Sequence, residues 1–154
     1  MKILHTNFLH GWGGQSNRIL NVCRGLAERG HAVVIAAPGD SELVRRARSA
    51  GLATDGSVNF ARGFRPLSFA RDVRHMSAIL AREQFDIIHT HGSADSWLVA
   101  LTIIRAVRLR RISKRLPIVR TKHNIFPIAD HFANRWLYGR VFDRIICISR
   151  AILE

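Results

Sequence analysis

Two short stretches that lie far apart in the chain decide the fold: Gly11-Trp12-Gly13-Gly14 and Ile87-Ile88-His89-Thr90-His91-Gly92. Each is associated with a short, continuously apolar run, which is typical of a strand that is covered on both faces. In an open sheet of parallel strands, ligands bind outside the carboxyl ends of the strands. We therefore expect the glycines and the histidines to lie on the same edge of one sheet.

Strand patterns and helix patterns alternate along the whole chain. The apolar runs predict strands at 2–6, 32–37, 58–60, 86–90, 118–122 and 144–148. Helical spacing predicts helices at 15–29, 41–50, 69–80 and 95–112 and another within 124–142, with Ser41 and Ser149 as N-caps. This alternation indicates βαβ units with right-handed crossovers. The predicted fold class is α/β, with one Rossmann-like, doubly wound, mostly parallel sheet of about six strands.

Composition limits the class of protein. The chain has 154 residues, of which 47% are hydrophobic, so one domain with a real core is expected and disorder is not. Its two cysteines, Cys23 and Cys147, lie in apolar segments and are predicted to be buried, reduced thiols. The N-terminus lacks a signal-peptide pattern, and no run reaches the roughly 18 apolar residues of a membrane span. These features favour a cytoplasmic protein and leave a peripheral membrane location open.

The glycine loop precedes the first predicted helix. Glycine allows close approach of the backbone to a ligand, and the amides at the start of a helix carry a partial positive charge. Gly13, Gly14 and Gln15 are therefore candidates to contact a phosphate or a sugar hydroxyl. The alternative is a tight turn in which glycine serves shape alone.

Two familiar nucleotide motifs do not fit this loop. The dinucleotide fingerprint needs a third glycine where this chain has Ser16, and no acidic residue ends the second strand, which closes with Ala36-Ala37-Pro38. NAD binding is therefore disfavoured. A phosphate-binding Walker loop is excluded because the chain contains no Gly-Lys-Ser or Gly-Lys-Thr.

Three histidines follow two predicted strands. His89 and His91 are two residues apart, so they share one face of a strand, and His123 ends the next strand. His91 and His123 are predicted to contact substrate, whereas His89 is more simply an interior histidine bonded to a backbone carbonyl. Three histidines could also hold zinc. No carboxylate or thiolate joins them, so no metal site is predicted.

Basic residues recur at spacings of three or four after residue 104. The formal net charge is +13, which favours phosphates, nucleic acid or anionic lipid as partners. A basic amphipathic helix can lie on anionic lipid, and the candidate membrane-surface residues are Arg105, Arg108, Arg111, Lys114 and Arg115. The alternative is a solvated outer face. Nucleic acid is not expected, because no aromatic residues interleave with the basic ones.

Several further segments extend the pattern of the two stretches: Leu26-Ala27-Glu28-Arg29-Gly30-His31-Ala32-Val33, Pro117-Ile118-Val119-Arg120-Thr121-Lys122-His123 and Asp143-Arg144-Ile145-Ile146-Cys147-Ile148-Ser149. In this order and spacing, the chain resembles the N-terminal domain of glycosyltransferase family 4-like enzymes. These enzymes are retaining and have the two-domain GT-B fold. The resemblance runs nearly from end to end, so the chain is expected to form one half of a GT-B architecture.

The resemblance implies a glycosyltransferase of hexosyltransferase type. It would transfer sugar from a nucleotide-sugar donor to a glycan, lipid-linked or lipopolysaccharide-type acceptor, without a metal or other cofactor. His123 matches the histidine placed close to the transferred sugar, in a positioning and electrostatic role. The implied substrate-binding residues are Gly13, Gly14, Gln15, His91, Asn124 and Ser149.

In the family, a second, C-terminal domain holds most of the nucleotide-sugar. Residues 1–154 are therefore expected to be the acceptor-side domain, with the donor-binding domain absent from this chain. The isolated chain is expected to be inactive unless that domain or a partner subunit joins it. Cell-envelope glycan synthesis at the inner face of the plasma membrane is the expected setting. The alternatives are a non-catalytic relic that binds a membrane or a partner, and an oxidoreductase domain.

Overall fold

The computed structural model describes residues 1–60, 65–110 and 115–153. Its elements, in chain order, are β1 Lys2–Thr6, α1 Gly14–Glu28, β2 Ala32–Ala36, α2 Glu42–Ser49, β3 Ala53–Asp55, α3 Pro66–Arg82, β4 Ile87–Thr90, α4 Ser93–Arg108, β5 Ile118–Lys122, α5 Phe132–Trp136 with a π-helical turn Leu137–Val141, β6 Arg144–Cys147 and α6 Arg150–Leu153. The strands form one six-stranded sheet in the order β3-β2-β1-β4-β5-β6. Every neighbouring pair is parallel. The predicted α/β, doubly wound fold is therefore confirmed.

The strand order reverses between β1 and β4. From β1 the chain proceeds outward to β2 and β3, and it then returns to add β4, β5 and β6 on the other side. The two central strands pair in register, with Ile3 opposite Ile87 and His5 opposite His89. The crevice above such a reversal is the usual place for a ligand in this class of fold.

Alternate residues of the strands feed two separate cores. On one face, Leu4, Val34 and Ile88 pack with side chains from α3 and α4. On the other, Val33 and Ile35 pack with side chains from α1 and α2. The period of two in a strand sends successive side chains to opposite faces, so continuous apolar runs suit a sheet with helices on both sides.

Helix ends follow the local signals. The Ser41 hydroxyl accepts a hydrogen bond from Val44 N at 3.3 Å, as predicted for the N-cap of α2. Gly30, with φ of 79°, ends the first helical segment in a conformation that glycine adopts readily. Ser149 immediately precedes α6, and its carbonyl accepts a hydrogen bond from Ile152 N at 3.2 Å.

The predicted third strand at 58–60 is wrong. The strand that pairs with β2 is Ala53–Asp55, with Ala53 opposite Val34. Val58 and Phe60 are fully buried in a loop, and Phe60 has φ of 51°, outside the extended region. Their apolar character reflects packing into the core and not strand pairing.

Two further predictions need correction. Helix α4 ends at Arg108 and not at residue 112. Cys23 is buried, and burial raises the pKa of its thiol to about 12, but Cys147 is only partly buried because β6 is an edge strand.

Candidate functional site

A cavity of about 700 Å³ opens at the carboxyl ends of the central strands, and we call it the edge cavity. Its walls come from the segments that follow β1, β4 and β5 and from the turn after α5, and they include Phe8, Gln15, His91, Arg120, His123 and Asn124. A concave site of this size is typical of a small-molecule ligand. The segments that follow β1, β4 and β5 therefore converge at one edge of the sheet and form a concave site there.

The glycine loop borders this region without lining the edge cavity itself. A Cβ atom placed on Gly13 or Gly14 would meet no heavy atom within 4 Å, so packing does not require glycine there. In the described part of the chain, α1 has no side-chain cap and no acidic residue in its first turn. Its positive N-terminal end therefore faces open space, as expected for an anion or hydroxyl site.

Gln15, the residue directly after the glycine loop, does line the edge cavity. Its side-chain amide donates a hydrogen bond to Asn7 Oδ1 at 2.9 Å. Asn7 is fully buried, and its backbone N–H donates to Ala36 O at 3.0 Å. The position of Gln15 is thus set by the end of β1, next to the reversal of strand order.

A row of three histidines leads from the interior of the sheet into the edge cavity, and we call it the histidine row. His5 Nδ1 lies 3.1 Å from His91 Nε2, and His91 Nδ1 lies 3.0 Å from His123 Nε2. His5 is completely buried, His91 is nearly so, and His123 lines the cavity. His5 was not among the predicted site residues, because only the pairing of β1 with β4 brings it beside His91.

His89 lies beside the histidine row without belonging to it. Its Nε2 atom is 2.7 Å from the Thr121 hydroxyl, and its ring stacks against that of His91 with centroids 4.3 Å apart. The expected interior position is therefore found, but the hydrogen-bond partner is a hydroxyl on β5 and not a backbone carbonyl.

Burial keeps these histidines neutral near pH 7. It lowers the pKa of His5 to about 3 and that of His89 to about 4, each with a neighbouring histidine adding to the effect. Burial also holds the pKa of His91 well below its usual value, and burial together with Arg18 and Arg120 lowers the pKa of His123 to about 4. The site therefore presents neutral imidazoles, which each offer one N–H and one lone pair.

The ring geometry favours hydrogen bonds over a shared metal ion. Ligand atoms of His5, His89 and His91 all lie within 4.8 Å of one another, close enough to consider chelation. The ring centroids of His5 and His91 are 5.4 Å apart and their facing nitrogens 3.1 Å apart, so the contact lies along the line between the rings. An imidazole lone pair lies in the ring plane, and tetrahedral zinc needs lone pairs that meet at an angle.

Arg120 supplies a buried positive charge beside the histidines. It is 6% exposed, and its Nη1 atom donates to the Gly92 carbonyl at 2.5 Å and to the Ser96 hydroxyl. Its guanidinium also lies over the Tyr138 ring, 5.5 Å from the centroid. Arg120 is not among the predicted site residues, since its position in the middle of a strand pattern gives no sign of a ligand.

Asp95 ties the turn after β4 to β1. One carboxylate oxygen, Oδ2, accepts hydrogen bonds from the Thr6 hydroxyl at 2.7 Å and from His91 N at 2.8 Å. Burial raises the pKa of this carboxyl to about 6, against the effect of those hydrogen bonds. Asp95 therefore fixes the backbone of His91 relative to β1.

Gly92 is a glycine that packing does require. A Cβ atom at this position would lie 2.0 Å from a carbon of the Phe8 ring. The ring of Phe8, which lines the edge cavity, can therefore rest against the start of α4 only because residue 92 has no side chain.

The remaining predicted residues fall in different places. Asn124 lines the edge cavity, in a loop that Lys122 holds by donating to Asn124 O at 2.7 Å and to Phe126 O at 2.9 Å. Ser149 follows β6 and does not line the edge cavity in the described part of the chain.

The basic segment is less continuous than predicted. Arg105 and Arg108 are exposed on the last turn of α4, next to exposed Leu101 and Val107. Arg115 lies off this helix and donates to Asp143 Oδ1 at 2.9 Å, while Arg111 and Lys114 lie outside the described residues. None of the described helices has the length and apolar character needed to cross a bilayer.

The chain matches one protein family, and several solved structures share its fold. The sequence matches Glycosyltransferase Family 4 over residues 12–154. No protein of curated function matches it significantly. Solved structures with the same fold include a glycosyltransferase from Rickettsia africae, with 17% identity and a TM-score of 0.71 over 96% of this chain and 36% of that one.

Two other solved structures share the fold. The lipopolysaccharide outer core galactosyltransferase WaaB has 16% identity and a TM-score of 0.69, over 99% of this chain and 40% of WaaB. Anabaena HepE, solved with UDP-glucose, has 16% identity and a TM-score of 0.66, over 99% of this chain and 38% of HepE. The chain thus spans about two fifths of the length of the structures that it matches.

Proposed function

The chain belongs to Glycosyltransferase Family 4, and we propose that it forms the acceptor side of a transferase that moves a hexose from a nucleotide-sugar to a glycan, lipid-linked or lipopolysaccharide-type acceptor. The observation that carries this proposal is the edge cavity, which lies at the reversal of strand order and joins a neutral histidine row to a buried arginine. The UDP-glucose held by HepE and the lipopolysaccharide acted on by WaaB support these classes of donor and acceptor.

The chemistry of transfer suits these groups. The bond between the anomeric carbon and a phosphate oxygen breaks, and a bond from that carbon to the acceptor oxygen forms. Negative charge grows on the departing diphosphate, which takes up the proton of the acceptor hydroxyl. Arg120 and the positive end of α1 stabilise that charge, and Gln15 and Asn124 offer hydrogen bonds to hydroxyls. His123, neutral and half-buried, serves a positioning and electrostatic role.

Donor binding requires more than this domain. The matched region makes up only 36–40% of each of the compared proteins. We assign the nucleotide-sugar mainly to a second domain, supplied by a longer polypeptide or by a partner subunit. No metal or other cofactor is assigned, because both nitrogens of His91 are hydrogen-bonded, to His5 and to His123, and Nε2 of His89 is hydrogen-bonded to Thr121.

A membrane surface is the proposed location. The exposed end of α4 combines Arg105 and Arg108 with Leu101 and Val107, a pattern that suits the interface of an anionic bilayer. A lipid-linked acceptor would be found there, at the inner face of the plasma membrane, so the protein is proposed to be cytoplasmic and peripheral. A nucleic-acid partner is not proposed.

The test is transfer by the complete enzyme, with the donor domain present, from labelled nucleotide-sugars to a membrane lipid extract. His123→Ala is expected to reduce kcat at least tenfold, since it removes a group at the reacting edge. His31→Ala is the matched control, because His31 lies before β2, at the opposite edge of the sheet. Equal loss in both variants, or no transfer by the unmodified enzyme, would contradict the proposal and favour a relic.

A further inference from the structure

The histidine row is a continuous chain of hydrogen bonds whose innermost residue is fully buried. Both contacts are in line: the His91 and His123 centroids are 5.2 Å apart and their facing nitrogens 3.0 Å apart, as in the inner pair. His5 is 0% exposed and does not line the edge cavity, whereas His123 does. The row therefore connects a residue that no ligand can reach to one that a ligand must meet.

Proton positions along the row are coupled. A neutral imidazole has one N–H and one lone pair, and a bond between two such rings needs one of each. His91 uses both of its nitrogens, so if it accepts at Nε2 it must donate at Nδ1. Only two arrangements exist, one with every N–H directed outward to the cavity and one with every N–H directed inward.

The buried end distinguishes the two arrangements. His5 Nε2 has no hydrogen-bond partner among the described residues. The inward arrangement would place an unpaired N–H there, and the outward arrangement leaves only a lone pair. Orphaned buried N–H groups are rarer in proteins than under-satisfied acceptors.

Charges at the outer end oppose this preference. Arg18 and Arg120 act on His123 and repel an outward N–H dipole. His123 is partly exposed, however, so solvent screens that repulsion, while the His5 end has no solvent to compensate an orphan donor. Burial therefore decides the direction.

We propose that His5 is a positioning residue that fixes the tautomer of His123. His5 Nδ1–H donates to His91 Nε2, His91 Nδ1–H donates to His123 Nε2, and His123 carries its own proton on Nδ1. His123 then offers the cavity a hydrogen-bond donor, suited to a hydroxyl or phosphate oxygen of the sugar substrate, and no lone pair to act as a base. The use of this donor rests on the proposed function, but the tautomer does not.

The direct test is nuclear magnetic resonance of the 154-residue chain labelled with ¹⁵N-histidine. Long-range proton–nitrogen correlations at neutral pH distinguish Nδ1–H from Nε2–H rings. All three members of the row are expected to be Nδ1–H, although a neutral histidine in water prefers Nε2–H. An Nε2–H ring at His91 or His123 would overturn the proposal.

A pair of variants tests the role of His5 itself. In His5→Leu the inner end of the row becomes His91, which is less completely buried than His5 and lines the edge cavity. The penalty on an inward N–H is then smaller, so His123 is expected to lose its pure Nδ1–H pattern and show the Nε2–H form. His5→Asn places an amide N–H near the former Nδ1 and is expected to keep the native pattern. If His123 keeps the Nδ1–H tautomer in folded His5→Leu, the role of His5 is refuted. If that variant fails to fold, the spectra of the unmodified chain and of His5→Asn decide.

The outcome is separable from that of the proposed function. If the complete protein transfers no sugar, the spectra still report the tautomers. If the spectra show the inward arrangement, sugar transfer is unaffected as a hypothesis and only the part played by His5 is lost. In an active complete enzyme, kcat is expected to fall in His5→Leu and to be rescued in His5→Asn.

Discussion

Replacing Gly92 with alanine should destabilise the domain through steric overlap at the start of α4. The added Cβ would lie 2.0 and 2.3 Å from two carbons of the Phe8 ring and 2.8 Å from Asp95 Oδ1. Carbon atoms pack at about 3.5–4.0 Å, so the ring would have to move by roughly 1.5 Å or the start of α4 would have to shift. Overpacking of this kind costs about 1–3 kcal/mol.

Gly13→Ala is the matched control for this change. Gly13 and Gly92 are both N-cap residues with extended backbone, at φ of −171° and −135°, and neither has a side-chain cap. Both substitutions therefore carry the same modest penalty for alanine at an N-cap, and alanine adopts either backbone without strain. A Cβ on Gly13 meets no heavy atom within 4 Å, so the difference between the variants isolates the overlap with Phe8 and Asp95.

The assay is urea unfolding followed by far-ultraviolet circular dichroism. Gly92→Ala is expected to lower the free energy of unfolding by about 1–3 kcal/mol more than Gly13→Ala, with a fall in Tm of about 2–4 °C for each kcal/mol. If the two variants differ by less than about 0.5 kcal/mol, Phe8 moves into the edge cavity without cost and the packing argument is wrong.

Three further expectations follow from the described charges and contacts. Stability should fall as pH drops from 6.5 towards 4, because the folded-state pKa values of His5, about 3, and of His89 and His123, about 4, lie below the unfolded value of 6.5. The contribution of these histidines to the free energy of unfolding is then fully present above pH 6.5 and is lost on acidification. The loss is on the order of several kcal/mol at most. The pKa of Asp95 is raised to about 6 from 3.8, so this carboxyl favours the folded state on acidification, opposite to the histidines, but it is a single group. A free energy of unfolding that stays level between pH 6.5 and 4 would therefore contradict the assignment of neutral, buried histidines. The 154-residue chain alone should release no nucleoside diphosphate from nucleotide-sugars in a coupled assay, and measurable turnover would show that no second domain is required. Arg105→Gln and Arg108→Gln should each weaken sedimentation with anionic vesicles about fivefold, corresponding to about 1 kcal/mol per basic residue. Arg24→Gln, on the opposite face of the sheet, is the control and should leave sedimentation with anionic vesicles unchanged. Equal binding of the unmodified chain to neutral and anionic vesicles would reject the electrostatic account.

Local patterns were sufficient for most of the secondary structure. Continuous apolar runs predicted β1, β2, β4 and β5 because strands covered on both faces carry apolar side chains throughout. The same rule failed at 58–60, where Val58 and Phe60 are buried from a loop, and missed Ala53–Asp55, a short edge strand with little apolar character. Burial is visible in a sequence, but the hydrogen bonding that defines a strand is not.

The candidate site was only partly visible for the same reason. His91, His123 and Asn124 come directly after apolar strands, so their place at the ligand edge could be inferred from position alone. Arg120 and Asp95 lie within regular elements, where nothing in the local pattern separates a site residue from a structural one. Their importance depends on neighbours contributed by other strands and helices.

The sequence by itself determined the alternation of strands and helices, the parallel sheet with two covered faces and the edge at which ligands would bind. These properties follow from hydrophobic periodicity and from glycine and cap residues, which act over a few neighbouring positions. Only the tertiary structure decided that His5, 86 residues before His91, completes the histidine row. That contact depends on the register between β1 and β4, which is set by the packing of the whole core, and no local pattern carries it.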